Sequence, residues 1–583
     1  MAEESEGPPF SDPPNHIRVS EVQNRSRELL ESHHQLVNTE RDEIISSLLQ
    51  TIRANGTRRT LTQLHVHNLI RSFLLRESDR SRETAQQTGM EITPEQDPGL
   101  PPRLIQFGVG LTLNVNTDTT EPQSFEQIGT GLLELMNWYS RQGGQGASHL
   151  PLDKPAANPY FGMLWRELTT LRHASGYQMI EKGYRAYKPW ESEMEELLGF
   201  SIEDAVYYTR ELIPLIRSRF EGPDKDVTRW ASSFFDFHQE AIDIAADSVW
   251  VSEETLVEAC FDSDRFHNFI DRLSVEPSID SQFQSPVDIN PLERTPFVKY
   301  DGQYLLPLPR TLMYALANTF YYDLLDSQYE GDFHFQFGNW LEQWTVDCLS
   351  KIFTSEDIIR NYTYEHDGKD VEGDILILRD EEPIVVECKG KKLRAETRRG
   401  NFGGVGSLQE DIKRGIGDAY HQADRLIDGV QSGEIDTITT SGGSIIDLKP
   451  EILKNAHRWI VLGESYGSIA TRDFAKILDI TPVPYVCDIY DMQVLFEVLD
   501  TPEQILHYVR QRIRQTEVQL RLSGENYLNM NIFSSDEIDY LGIYNRNNRD
   551  FPPGTQRITG AGDKLREDAI DEILSNNEFQ FTH

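Results

Sequence analysis

Three ionisable residues lie inside two apolar stretches near the middle of the chain. Asp374 is the second residue of the run GDILIL, and Glu387 and Lys389 belong to the run IVVECK. Glu387 and Lys389 are two residues apart, so they share one face of an extended strand. Runs that are apolar on both faces predict central strands covered by helices. Since an unpaired buried ion costs several kcal/mol, these carboxylates need compensation, which a divalent cation and the lysine would supply.

The order of these residues resembles the motif of a known enzyme superfamily. Gly373-Asp374 followed by Glu387-Cys388-Lys389 is similar to the PD-(D/E)XK nucleases, which have the restriction-endonuclease-like fold. The family usually has Pro before the first acid, where this chain has Gly373. The resemblance covers about residues 330–500. It implies an α/β restriction-endonuclease-like core with a large, mainly α-helical N-terminal region, and hydrolysis of phosphodiester bonds in DNA.

Two flanking helices each offer one further polar residue. Residues 337–349 have an apolar stripe at helical spacing and carry Glu342, and the amphipathic segment 416–427 carries Gln422. The resemblance implies that Glu342 reaches the metal site and that Gln422 orients the lysine or touches nucleic acid. The alternatives are a solvated helix residue at 342 and a surface residue at 422.

The resemblance also implies a ligand set. Asp374, Glu387 and the backbone carbonyl of Cys388 would hold Mg²⁺ or Mn²⁺, since Mg²⁺ prefers hard oxygen ligands and keeps several waters. Glu342 would complete the shell or serve a second ion. Lys389 would position or deprotonate the attacking water.

A basic segment follows the second strand. Between Lys389 and Arg399 there are six cations and one anion, in a chain whose formal net charge is −39. A glycine-rich stretch comes next, which predicts a loop that binds phosphates near the metal. A solvated charge run is the alternative. The predicted nucleic-acid-binding residues are Lys391, Lys392, Arg394, Arg398 and Arg399.

The charge balance bears on the cellular environment. The chain has 95 acidic and 56 basic residues, and only 15 of the basic residues are lysine. This composition resembles that of halophilic proteins, which work at molar salt. At about 1 M salt the Debye length is roughly 3 Å, so the acidic surface would repel DNA less than in dilute buffer. DNA is the expected partner, and RNA remains an alternative.

Other features predict a cytoplasmic protein without a membrane segment. The sequence has no run of about eighteen apolar residues, and it begins with MAEESE, which does not match a signal peptide. The four cysteines are isolated from one another and predict reduced core residues rather than a zinc site or disulfides.

Composition and periodicity divide the 583 residues into four parts. Residues 1–20 are expected to be disordered, and 21–285 to be a mainly helical region of unknown role that is a candidate for binding a protein partner. Residues 286–500 would form the nuclease-like domain with a preceding hairpin at 297–306, and 501–583 a C-terminal helix and polar tail. Residues 457–462 and 483–488 are predicted strands of the same sheet, the second near an edge because of Pro484.

Two other classes of function remain open. The chain could be a nucleic-acid-binding protein whose nuclease-like site no longer cuts. It could also be an RNA-directed nuclease, or an interaction protein in which the helical half is the working part. An assay for metal-dependent cleavage distinguishes the first alternative from an active endonuclease. Assays on a panel of nucleic-acid substrates distinguish the second alternative.

Overall fold

The computed structural model combines helices with two mixed β-sheets. The residues that it describes are 41–68, 102–117, 127–135, 138, 174–220, 249–260, 263–278, 283, 290–379, 382–390, 409–466, 474–521, 537–546 and 569. The predicted disordered segment 1–20 and the five predicted phosphate-binding residues between 391 and 399 lie outside this set. Within it, no helix has the length and apolar character needed to cross a bilayer.

The smaller sheet has four strands in the order β1-β4-β3-β2. The strands are β1 Val251–Ser252, β2 Ser274–Val275, β3 Phe297–Tyr300 and β4 Gln303–Leu305. Strands β3 and β4 are antiparallel neighbours, which confirms the hairpin predicted at 297–306. The hairpin belongs to this smaller sheet and not to the sheet that carries Glu387.

The larger sheet has seven strands in the order β11-β10-β7-β6-β5-β8-β9. The strands are β5 Ile358–His366, β6 Lys369–Ile377, β7 Ile384–Lys389, β8 Thr437–Thr439, β9 Ile445–Asp447, β10 His457–Leu462 and β11 Tyr485–Asp488. The pairs β5–β6 and β6–β7 are antiparallel, whereas β10 runs parallel to both β7 and β11. The two predicted downstream strands are confirmed, and β11 lies at the edge as Pro484 indicated.

The helices lie before, between and after these strands. Those with described bounds are α1 Pro102–Thr112, α2 Gly176–Tyr187, α3 Glu191–Leu198, α4 Ile202–Phe220, α5 Glu253–Ala259, α6 Ser263–Arg272, α7 Pro309–Asn318, α8 Phe320–Leu325, α9 Glu330–Gln336, α10 Asn339–Leu349, α11 Asp418–Ser432, α12 Phe474–Leu478, α13 Ile489–Val498, α14 Pro502–Arg521 and α15 Glu537–Arg546. Residues 41–55, 57–68 and 127–135 are also helical. A π-helix at Lys413–Gly417 leads into α11.

Helices cover both faces of β7, as its apolar sequence predicts. Val386 and Cys388 pack into a large cluster with residues of α10 and α13, whereas Val385 packs with residues of α11. Ile460, the β10 neighbour of Glu387, lies in a third cluster with the start of α11. Glu387 and Lys389 therefore lie on the α11 side of the strand, opposite Cys388.

The N-terminal helices share a core with the larger sheet. The cluster that contains Val386 also contains buried residues of α2 and α4. A separate cluster joins residues 45–66 and 105–115 to the other face of the smaller sheet. Phe297 faces the first cluster and its neighbour Val298 faces the second, so the smaller sheet separates the two cores.

Candidate active site

Strands β6 and β7 part beside two of the predicted acids. Their antiparallel ladder has three pairs and ends at Ile375↔Val386, so the next positions along it are Asp374 and Glu387. Past Asp374 and Glu387 the two strands no longer pair with each other: β6 continues to pair with β5, and β7 continues to pair with β10. The strands thus form a fork, with the two carboxylates where they diverge.

Asp374 bridges this fork. Its Oδ2 accepts a 2.6 Å hydrogen bond from the backbone N–H of Cys388 on the other strand. The β5–β6 ladder skips one step opposite Asp374, where Asn361 has a φ of 45°. Asn adopts this left-handed conformation more readily than most residues, and such backbone irregularities are concentrated at functional sites. This break in the β5–β6 ladder lies at Asp374, whose side chain is hydrogen-bonded to β7.

Glu387 is the most buried of the predicted acids, with 2% of its surface exposed. Burial, together with the charge of Asp374, raises the pKa of the Glu387 carboxyl to about 8, although Lys389 acts in the opposite direction. Lys389 Nζ lies 3.4 Å from Glu387 Oε2. One lysine therefore leaves part of the carboxylate charge uncompensated, which favours binding of a further cation.

Glu342 approaches the same site from the first turn of α10. Burial raises the pKa of its carboxyl to about 7, with smaller contributions from the charges of Asp374 and Glu372, while Lys389 lowers it. The oxygens of Glu342, Asp374 and Glu387 do not all come within 4.8 Å of one another. That Glu342 completes the metal shell or serves a second ion stays a prediction.

Cys388 contributes its backbone to the site and its side chain to the core. Its Sγ lies 3.6 Å from Thr345 Oγ1 on α10, and burial raises the pKa of the thiol well above its ordinary value. The thiol is thus a protonated core group, and the role of the Cys388 carbonyl as a ligand stays a prediction. All four cysteines are buried and free, as predicted.

Gln422 lies on α11, which covers the face of β7 that carries Glu387. Its neighbour Ala423 is buried against the sheet. The Gln422 Oε1 atom is itself buried and has no hydrogen-bond partner among the residues described. The residue as a whole is half-buried, so a surface glutamine and a role in orienting Lys389 or touching nucleic acid both stay predictions.

A different group of potential metal ligands lies at the far end of the β5–β6 hairpin. His366, Asp367 and Glu434 bring three ligand atoms within 4.8 Å of one another, and in the described part of the chain this is the one group that does so. Both acids are exposed, and His366 Nδ1 lies 3.3 Å from Glu434 Oε1. These contacts are those of ordinary surface ion pairs, so they do not by themselves indicate a metal site.

The sequence interpretation missed three residues beside the site: Tyr362, Asn361 and Glu372. Tyr362 and Asn361 lie on β5, and Glu372 lies two positions before Asp374. The signal that could have found them is the pairing of β5 with β6. Once Tyr362 is aligned with Gly373, the neighbouring residues of β5 fall beside Asp374.

No family model matches the chain, and neither a curated protein nor a solved structure matches it significantly.

The chemistry of the donor set fits a hard divalent cation. Asp374 and Glu387 offer adjacent carboxylates, and the raised pKa of Glu387 reflects a negative charge that burial and Asp374 disfavour. A cation of charge two would stabilise both ionised carboxylates, and oxygen ligands are those that Mg²⁺ and Mn²⁺ prefer. Asp374 and Glu387 are the residues that would hold it.

Proposed function

We propose that this protein is a metal-dependent endonuclease that hydrolyses phosphodiester bonds in DNA. The observation that carries the proposal is the pair formed by half-buried Asp374 and buried Glu387 at the fork of two central strands, with Lys389 beside it. The larger sheet, with α10 and α11 on opposite faces, supports a restriction-endonuclease-like core. A part in restriction, defence or repair follows from family analogy alone.

Each residue of the site has a separate task in this mechanism. A bound Mg²⁺ would supply positive charge to the scissile phosphate and to the leaving oxygen. Lys389 Nζ, held 3.4 Å from Glu387 Oε2, would orient the attacking water, or take its proton when neutral. Oxygen from the water forms the new bond to phosphorus while the bond to the leaving oxygen breaks. Cys388 N–H fixes the Asp374 carboxylate.

The substrate is inferred from charge. The basic segment from Lys389 to Arg399 begins at the last residue of β7 and supplies cations of the kind that bind a phosphate backbone. With a net charge of −39 over the whole chain, binding in dilute buffer would be opposed by the rest of the surface. Assays therefore belong at molar KCl, where this repulsion is screened.

The test is cleavage of plasmid and linear DNA at molar KCl with Mg²⁺ or Mn²⁺. The wild type should cut, and EDTA should stop it. Asp374→Ala should reduce cutting to background because it removes a carboxylate ligand. Lys389→Ala should slow cutting by about 10²–10⁴-fold, the usual contribution of a positioned acid–base group. Asp370→Ala and Lys369→Ala are matched controls, since both residues are exposed on the same strand β6, and both should cut normally.

Other outcomes favour the alternatives. DNA binding without cutting by any variant would point to a nucleic-acid-binding protein whose site is inactive. Cutting of single-stranded RNA but not DNA, with the same dependence on Asp374, would replace DNA by RNA as the substrate. Cutting that survives both Asp374→Ala and Lys389→Ala would show that the site lies elsewhere.

A further inference from the structure

Tyr362 is packed directly against the backbone beside the two acids. It pairs with Gly373 across the β5–β6 ladder, and Gly373 immediately precedes Asp374. A Cβ atom at position 373 would lie 2.3 Å from Tyr362 Cζ and 2.4 Å from its Oη, so no larger residue fits there. The tyrosine ring thus explains why this chain has Gly where the PD-(D/E)XK pattern usually has Pro.

The Tyr362 hydroxyl has no evident role in the packing of the sheet. The residue is fully buried, and its Oη has no hydrogen-bond partner among the residues that the structure describes. A buried donor left without an acceptor costs about 1–3 kcal/mol. A phenylalanine would pack equally well at this position without that cost, so the hydroxyl needs another explanation.

The surroundings of the hydroxyl indicate where it acts. The ring stacks on Tyr364, two residues along the strand, at a centroid distance of 6.2 Å. After burial, the largest influence that raises the pKa of Tyr362 is the charge of Glu387, and the charge of Asp374 contributes too. Tyr362 also packs in one cluster with Val385 and Ala423, so the phenol lies on the face of the sheet that carries Glu387.

We infer that Tyr362 is a positioning residue, whose O–H donates a hydrogen bond to the Glu387 carboxylate when that carboxylate holds a divalent cation. The inference rests on the proposed metal site. A carboxylate offers about four lone-pair sites, so Lys389, the cation and the phenol can be accommodated together. Outer hydrogen bonds of this kind orient metal ligands, and their removal typically costs 10–100-fold in metal affinity or activity.

The test compares Tyr362→Phe with Tyr364→Phe. Tyr362→Phe removes one oxygen and keeps the ring against Gly373. Tyr364 is the matched control because it lies on the same strand and stacks on Tyr362, while the charge of Arg425 acts on its hydroxyl. The first measurement is calorimetric titration of Mg²⁺ and of Mn²⁺ at pH 8 in molar KCl, which requires no DNA and no cleavage.

Tyr362→Phe should bind both ions about 10–100-fold more weakly than the wild type, and Tyr364→Phe should bind them normally. In cleavage, Tyr362→Phe should lower kcat and leave KM for DNA unchanged, because the phenol acts through Glu387 and not on the substrate. Thermal unfolding in EDTA should be unchanged or slightly higher for Tyr362→Phe, since an unpaired buried hydroxyl is lost.

Three results would overturn the inference, and they are distinguishable. Wild-type-like ion affinity in Tyr362→Phe would remove Tyr362 from the site and leave the proposed function intact. Equal losses in both variants would assign the effect to ring packing. If the wild type binds neither ion, the metal site fails and the role of Tyr362 fails with it.

Discussion

Glu387→Gln should abolish metal-dependent cleavage and, in the same protein without metal, increase stability at pH 8. Burial raises the pKa of the Glu387 carboxyl to about 8 from an ordinary value of 4.5. Between pH 4.5 and about pH 8 the Glu387 carboxyl is protonated in the folded protein and ionised in the unfolded chain. Stability therefore falls as pH rises through this window, by up to about 1.4 kcal/mol per pH unit for one group. Glutamine cannot ionise, so the variant escapes this loss.

The Glu342 carboxyl, whose pKa is raised from 4.5 to about 7, also makes stability fall as the pH rises, but over a narrower pH range. The stabilisation that each carboxyl provides is fully present below pH 4.5. It is lost as the pH rises through the folded-state pKa of that carboxyl. A divalent cation should reverse the trend, because it binds the ionised carboxylates of the folded protein. Binding at a hundred times the Kd stabilises by about 2.7 kcal/mol.

The measurement is thermal unfolding in molar KCl from pH 5 to pH 9, with EDTA or with Mg²⁺. The wild type should lose stability towards pH 9 in EDTA and regain it with Mg²⁺. Glu387→Gln should show a flatter profile and little response to Mg²⁺. Glu365→Gln is the control, since Glu365 is exposed on β5, and it should follow the wild type. A destabilised Glu387→Gln in EDTA, or one that responds normally to Mg²⁺, would contradict the prediction.

The local features of the site could be predicted from sequence because they depend on strand periodicity. Residues two apart on a strand share a face whatever the tertiary structure, so Glu387 and Lys389 had to lie together. The apolar runs around them correctly indicated central strands. The helical stripe that carries Glu342 and the segment that carries Gln422 were likewise recognisable from their spacing.

Long-range features could not be predicted in this way. The fork between β6 and β7 depends on which neighbour each strand keeps, and no local pattern in either strand encodes that choice. The left-handed Asn361 and the buried Tyr362 matter only through their register with β6. The separation of Glu342 from the other acids depends on how α10 packs against the sheet. The smaller sheet includes two-residue strands, which are too short to give a periodic signal.

The packing of the N-terminal helices is a further long-range feature. Helical periodicity identified the N-terminal elements but not their partners. In the structure α2 contributes to the same hydrophobic cluster as β7 and α10. Two successive hydrogen bonds link α2 to the backbone of Lys389. The Nζ atom of Lys182 on α2 lies 3.4 Å from the carbonyl oxygen of Gly463, whose N–H donates a 3.0 Å hydrogen bond to the carbonyl of Lys389.

Lys182→Met should destabilise the protein by about 3–5 kcal/mol, the usual cost of breaking a buried ion pair. Lys182 is 1% exposed in its side chain, and its Nζ lies 2.6 Å from Glu464 Oε1 and 3.2 Å from Asn318 Oδ1. Methionine has a similar shape but leaves the Glu464 carboxylate buried without this cation. Cleavage should also slow, since Lys182 contacts Gly463, which is hydrogen-bonded to the backbone of Lys389.

A double-mutant cycle with Glu464→Gln separates charge from packing. If the loss comes from an uncompensated carboxylate, Lys182→Met combined with Glu464→Gln should be more stable than Lys182→Met alone. Lys188→Met is the matched control, because Lys188 forms partly exposed ion pairs with Glu191 and Glu203, and such pairs contribute about 0–1 kcal/mol. Chemical unfolding with and without Mg²⁺ compares five proteins: the wild type, the three single variants and the double variant. Equal losses for Lys182→Met and Lys188→Met would show that the buried pair does not join α2 to the strand of Lys389, and the helical region would then need another role.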